Sequence, residues 1–127
     1  SNHFAMAFAN NGLWLRRYTP GAGTDLLVSN AAYSQPALDA FEDGSLVVAW
    51  TNDKSRLVLQ RVSVGGTLVG STVAASSRTG VIEYDGDVAA MQDGAFVAAW
   101  LARDQATSAP MGLFVQRWNS SAVRQYR

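Results

Sequence analysis

Large and small apolar residues alternate through Phe4-Ala-Met-Ala-Phe8, and the rhythm returns at Leu46-Val-Val-Ala-Trp50 and Phe96-Val-Ala-Ala-Trp100. Alternation with period two predicts β-strands, because successive side chains of a strand point to opposite faces. The stretches share one register: Phe8 falls on Trp50 and Trp100, and Ala7 on Ala49 and Ala99. Asp43-Gly44 and Asp93-Gly94 precede the second and third copies at the same spacing. The chain begins near the equivalent point of the first copy, which therefore reads as a repeat cut in its middle.

A second motif follows each strand: Leu13-Trp-Leu-Arg-Arg17, Leu57-Val-Leu-Gln-Arg61 and Leu113-Phe-Val-Gln-Arg117. Apolar residues on both of its faces predict a strand packed on two sides. Ala9-Asn-Asn-Gly12 joins the first pair, and Asn-Gly favours a tight antiparallel hairpin because both residues tolerate positive φ. Breaks at Thr19-Pro-Gly-Ala-Gly23 and Val64-Gly-Gly66 imply a further turn and strand. One full unit thus reads as four short strands at about 35–41, 45–51, 56–63 and 67–74. The chain is expected to be a single repeat domain, 1–127, with a partial repeat 1–34, a full repeat 35–85 and a repeat 86–127. Gly, Pro and Asp interrupt every eight to twelve residues, so no helix is expected.

Four short antiparallel strands repeating at about fifty residues match the pattern of a β-propeller blade. The expected fold is all-β, with two and a half to three propeller-like, four-stranded units; a β-sandwich is the alternative. Closed propellers use roughly four to eight blades. Self-association, or neighbouring blades in a longer chain, is therefore expected.

The pattern Asp-Gly-x-Phe/Leu-Val-x-Ala-Trp, followed by Leu-x-Val/Leu-Gln-Arg and a Gly-rich turn, resembles the roughly fifty-residue repeats of large bacterial surface and secreted proteins. Some of those proteins also carry repeats-in-toxin calcium motifs. The resemblance implies extracellular or cell-surface adhesion or scaffolding. This chain departs from it in having the Gly-Gly-Thr turn once, at Gly65-Gly66-Thr67, and Asn119-Ser120-Ser121 in the last repeat. It has no Gly-Gly-x-Gly-x-Asp calcium nonapeptide, and its Asp, Gly and Trp do not follow the sialidase Asp-box order.

Composition narrows the function. The 127 residues are 48% hydrophobic and 16% charged, enough apolar material for one core. Ten basic side chains balance ten acidic ones, so the electrostatic attraction that drives nucleic-acid binding is missing. No apolar run approaches the ~18 to 20 residues of a membrane span, and no leader pattern opens the chain, which reads as a mature or excised soluble segment. The absence of cysteine removes thiol chemistry.

Candidate chemistry is sparse. His3 is the only histidine, so no histidine triad can be built elsewhere. Asp43 and Asp93 before Gly suit tight turns, and Arg17, Arg61 and Arg117 suit arginines lying along strands and bonding carbonyls, or a ring gripping an anion. Glu83-Tyr-Asp-Gly-Asp87 is the one local acidic cluster; its spacing matches no calcium loop, and no paired position for glycoside hydrolysis can be identified. The hairpin after each aromatic strand varies from four residues (9–12) to six (51–56) to twelve (101–112). Extra length on a rigid scaffold is where recognition commonly resides. The expected ligand site is therefore the rim formed by 75–86 and 101–112, with Glu83, Tyr84, Asp85, Asp87, Arg103 and Asp104. No catalytic residue, metal site or cofactor is expected. The expected function is a non-catalytic binding or scaffolding module of a bacterial extracellular protein. The alternative is a ring-forming carbohydrate-binding lectin in which Trp14 and Trp118, or Tyr84, stack on sugar faces.

Overall fold

The computed structural model describes residues 4–9, 12–19, 22–29 and 36–125, with side chains in its first sheet described at 5, 7, 13–16 and 25–29. His3 and the turn residues Asn10 and Asn11 lie outside the described residues. Three antiparallel sheets form, each a meander of consecutive strands. The first holds β1 (Phe4–Ala9), β2 (Leu13–Thr19) and β3 (Ala22–Ser29). The middle sheet holds β4 (Ala37–Ala40), β5 (Leu46–Thr51), β6 (Leu57–Val62) and β7 (Leu68–Ala74). The third holds β8 (Val81–Ala90), β9 (Phe96–Asp104), β10 (Pro110–Trp118) and β11 (Arg124–Gln125). The only helical element among the described residues is a 3-10 turn at Gln92–Gly94. The chain is all-β and antiparallel as expected, and no closed ring forms among the described residues.

The repeat is visible in the hydrogen-bond register. Phe8 pairs with Trp14, Trp50 with Val58, and Trp100 with Phe114. Phe8 occupies the register position of the two tryptophans, although its side chain lies outside those described. The boundary expected between 85 and 86 falls inside β8, where the register shifts between Tyr84 and Asp87 and Asp85 takes a φ of 50°.

Alternation sorts the core into two layers. Leu46, Val48, Trp50, Val58 and Val62 pack with Leu13 and Leu15 of the first sheet. Their neighbours Val47, Ala49, Leu57 and Leu59 pack with Phe96, Ala98, Trp100 and Trp118 of the third. The middle sheet is therefore buried on both faces, which explains why β5 and β6 read as nearly continuous apolar runs. Each buried Leu or Val contributes about 1.5 to 3 kcal/mol relative to exposure.

Approach is closest at Gly86, where a Cβ would lie 2.5 Å from Leu57 Cδ1. Glycine is needed there for space.

Candidate functional site

The strand ends define two rims. Turns at 52–56 and 105–109 and the connection 75–80 gather at one; the Asp43-Gly44, Gly65-Gly66, Asp93-Gly94 and 119–122 turns gather at the other.

At the first rim, the stretches 75–86 and 101–112 come together as expected: Tyr84 pairs with Leu101, Ile82 with Arg103, and Gln105 N donates to Gly80 O at 2.9 Å. Neither is irregular throughout: 75–80 is a connection, but β8 begins at Val81. Strand β9 runs to Asp104 and β10 resumes at Pro110, so most of the extra hairpin length is added ladder. Alternation along β8 splits the six expected residues. Tyr84 and Arg103 lie on the face turned away from the middle sheet, the guanidinium 5.3 Å from the ring centre. Glu83 lies on the opposite face, buried at 0% exposure. Its Oε1 accepts from Leu57 N at 2.9 Å and Arg56 Nε at 3.1 Å, and its Oε2 accepts from Ser76 Oγ at 2.7 Å. Oε1 joins the third sheet to β6 of the middle one, and Oε2 ties it to the connection that leads from one sheet to the next.

Asp85 is exposed, and Asp87 Oδ1 accepts its neighbour's amide from Val88 at 2.8 Å. Asp104 closes the 105–109 turn by accepting from Ala106 N and Thr107 N, each at 2.9 Å. These bonds, with Thr107 first, hold its carboxyl below the ordinary value. The six residues therefore share a neighbourhood without converging on one concavity. Nor can Trp118 stack on a ligand as the lectin alternative expected: it is buried against Phe96, rings 5.2 Å apart and 14° from parallel.

The second rim holds a groove of about 920 Å³ between the middle and third sheets, within the size range of small-ligand sites. Phe41 and Met91 supply its apolar wall, and Glu42, Asp43, Asp93 and Arg61 supply polar groups. The repeat builds it: Phe41 and Met91 occupy equivalent positions before equivalent Asp-Gly turns. Phe41 is held edge-on to Phe96, ring centres 6.3 Å apart. Arg61 crosses between the walls, donating from Nη1 to Ser120 O at 2.6 Å with its guanidinium 6.0 Å from the Phe96 ring centre. This is the carbonyl-bonding role expected of the repeated arginine, placed where Nη2 and Nε have no protein acceptor among the described residues.

Asp43 does mainly turn work. Its Oδ1 accepts from Ser45 Oγ at 2.6 Å and Ser45 N at 2.8 Å, and these bonds hold the carboxyl below its ordinary range. Asp93 sits at φ 65° inside its turn and is exposed.

Sequence reasoning missed this groove, although its signal was present in the two Asp-Gly turns that bring an aromatic and a thioether to equivalent places. Among the described residues, no group of three or more His, Cys, Asp or Glu side chains could hold a metal ion. No helix among them is long and apolar enough to cross a membrane.

No protein-family model matches the chain, and no curated protein matches it in sequence. The fold has a solved counterpart. It is similar to a fucose lectin from Kordia zhangzhouensis, solved in complex with methyl-fucoside, at a TM-score of 0.57 and 12% identity over 98% of this chain and 90% of that one. An endo-arabinase from Bacteroides thetaiotaomicron VPI-5482 superposes more loosely, at a TM-score of 0.46 and 12% identity over 98% of this chain and 56% of that chain.

Proposed function

We propose that the chain is a non-catalytic carbohydrate-binding module built of propeller-like sheets in series, acting outside the cell or at its surface. The groove between the middle and third sheets carries the proposal. A sugar ring offers an apolar C–H face and a rim of hydroxyls. Phe41 and Met91 match the first; Glu42 and Asp93 as acceptors and Arg61 as donor match the second. The shared fold of the fucose lectin supports the reading. Asp43, the carboxylate most firmly placed at the groove, is kept ionised by Ser45 and so is unsuited to proton donation.

The test is a glycan array followed by calorimetry with the best monosaccharide, methyl-fucoside being included in the panel. Asp93→Asn retains a residue that tolerates positive φ and removes the charge. It should weaken binding about tenfold, roughly 1.4 kcal/mol, and Met91→Ala should weaken it as well. Replacing 105–109 with a shorter turn should leave affinity unchanged. Loss of binding on that replacement, with Asp93→Asn silent, would move the site to the first rim. No binding to any glycan would leave scaffolding as the reading.

A further inference from the structure

The third sheet presents to solvent the face that the middle sheet buries. In the shared register, Leu113 and Val115 of β10 stand where Leu57 and Leu59 of β6 stand. Leu57 and Leu59 are each 1% exposed beneath the third sheet, whereas Leu113 is 67% and Val115 63% exposed. Around them, Val97, Ala99 and Leu101 of β9 share the face, since Leu113 pairs with Leu101, Val115 with Ala99 and Arg117 with Val97.

Comparison with the middle sheet shows what such a face takes. There it receives the Phe96, Ala98 and Trp100 side of a following sheet, with Arg61 bonding Ser120 O and Asp39 Oδ2 accepting from Ala90 N at 2.7 Å. On the third sheet Arg117 keeps the position of Arg61. Ala89 replaces Asp39 and Leu101 replaces Thr51, so two polar positions have become apolar. The exposed face is thus more apolar than its covered counterpart, and a large exposed apolar patch marks an interaction surface.

We infer that this face docks the first sheet of a second copy of the chain. The occupant follows from the repeat. In each internal interface the covering sheet presents the side that carries the Trp50 or Trp100 position. In β1 that register position is Phe8, paired with Trp14, and the first sheet has no preceding sheet among the described residues. The association is head-to-tail, with two different surfaces meeting, so it can propagate into a ring if the rotation closes. It does not depend on carbohydrate binding.

The test uses the whole chain in sedimentation or light scattering at high micromolar concentration. Wild type should be multimeric. Leu113→Glu with Val115→Glu changes two side chains that are already exposed, so the variant should fold with an unchanged circular-dichroism spectrum and run as a monomer. Trp14→Glu, on the other surface, should also be a monomer. Mixing the two variants should restore a one-to-one complex, because each retains the surface the other lacks. A monomeric wild type, or a double variant that keeps the wild-type mass, overturns the inference. A Trp14→Glu variant that still assembles means that the third sheet pairs with itself, and it overturns the head-to-tail geometry.

Discussion

Glu83 offers the sharpest test of how the sheets are joined. Glu83→Ala strands three donors in a buried site: the Leu57 amide, 2.9 Å from Oε1, the Ser76 hydroxyl, 2.7 Å from Oε2, and the Arg56 guanidinium, whose side chain is 24% exposed. Removing one partner of a buried ion pair costs about 3 to 5 kcal/mol, because the remaining charge loses its compensation. The partial exposure of Arg56 lets water recover some of this, which places the expectation near 3 kcal/mol. With a urea m-value of about 1.5 kcal/mol/M for a chain of this size, the denaturation midpoint should fall by about 2 M. Glu83→Gln should cost less, since its amide oxygen can accept from Leu57 N while its NH₂ group donates to Ser76 Oγ. The assay is equilibrium urea unfolding followed by tryptophan fluorescence, with Arg56→Ala and the double variant completing a cycle. A shift for Glu83→Ala below about 0.5 M, or strict additivity with Arg56→Ala, would refute the view that this carboxylate fastens the third sheet to the middle one.

Gly86→Ala should destabilise by about 1 to 3 kcal/mol through overpacking against Leu57; a melting temperature within a degree of wild type would show that the sheets can part without cost. Trp100→Phe removes a buried indole N–H that has no hydrogen-bond partner. Its cost, read from denaturant midpoints, should therefore stay well below the ~3 to 5 kcal/mol of Trp100→Ala. The carboxyls of Asp43 and Asp104 titrate below their ordinary value of 3.8 in the folded chain. What they add is present above that pH and fades as pH falls through the lower, folded value. The amide shifts of Ser45 and Thr107 should move with midpoints below 3.8, and midpoints at or above it would contradict the turn bonds.

The strands were legible because the repeat reports on them three times. The expected span 45–51 is observed as Leu46–Thr51, and 67–74 as Leu68–Ala74. A two-residue period also fixes which side chains share a face, so the burial of Trp50 and Trp100 followed from register alone. Glu83 was misplaced for a reason visible in hindsight. It lies two positions after the buried Val81, on the inward face of β8, but the acidic neighbours Asp85 and Asp87 made the segment read as one acidic cluster at the ligand rim. The carboxylate is compensated by Arg56, 27 residues away, a pairing that no local pattern encodes. Trp118 escaped because its register equivalents, Tyr18 and Val62, share no residue type that would mark the position as buried. The groove depends on how closely two sheets approach at their Asp-Gly ends, a tertiary property that neither turn specifies by itself.

A middle sheet with one neighbour on each face makes the chain quasi-one-dimensional. Each sheet's stability is then its own plus that of the interfaces it shares, as in stacked repeat proteins. β5 and β6 take part in both interfaces, so their amides can exchange only when both neighbours have opened. The amides of β10 and β11, at an end of the series, need only one interface to fail. Protection should therefore fall from the centre of the series toward its ends, and a bound neighbour on the third sheet would convert an end into a centre.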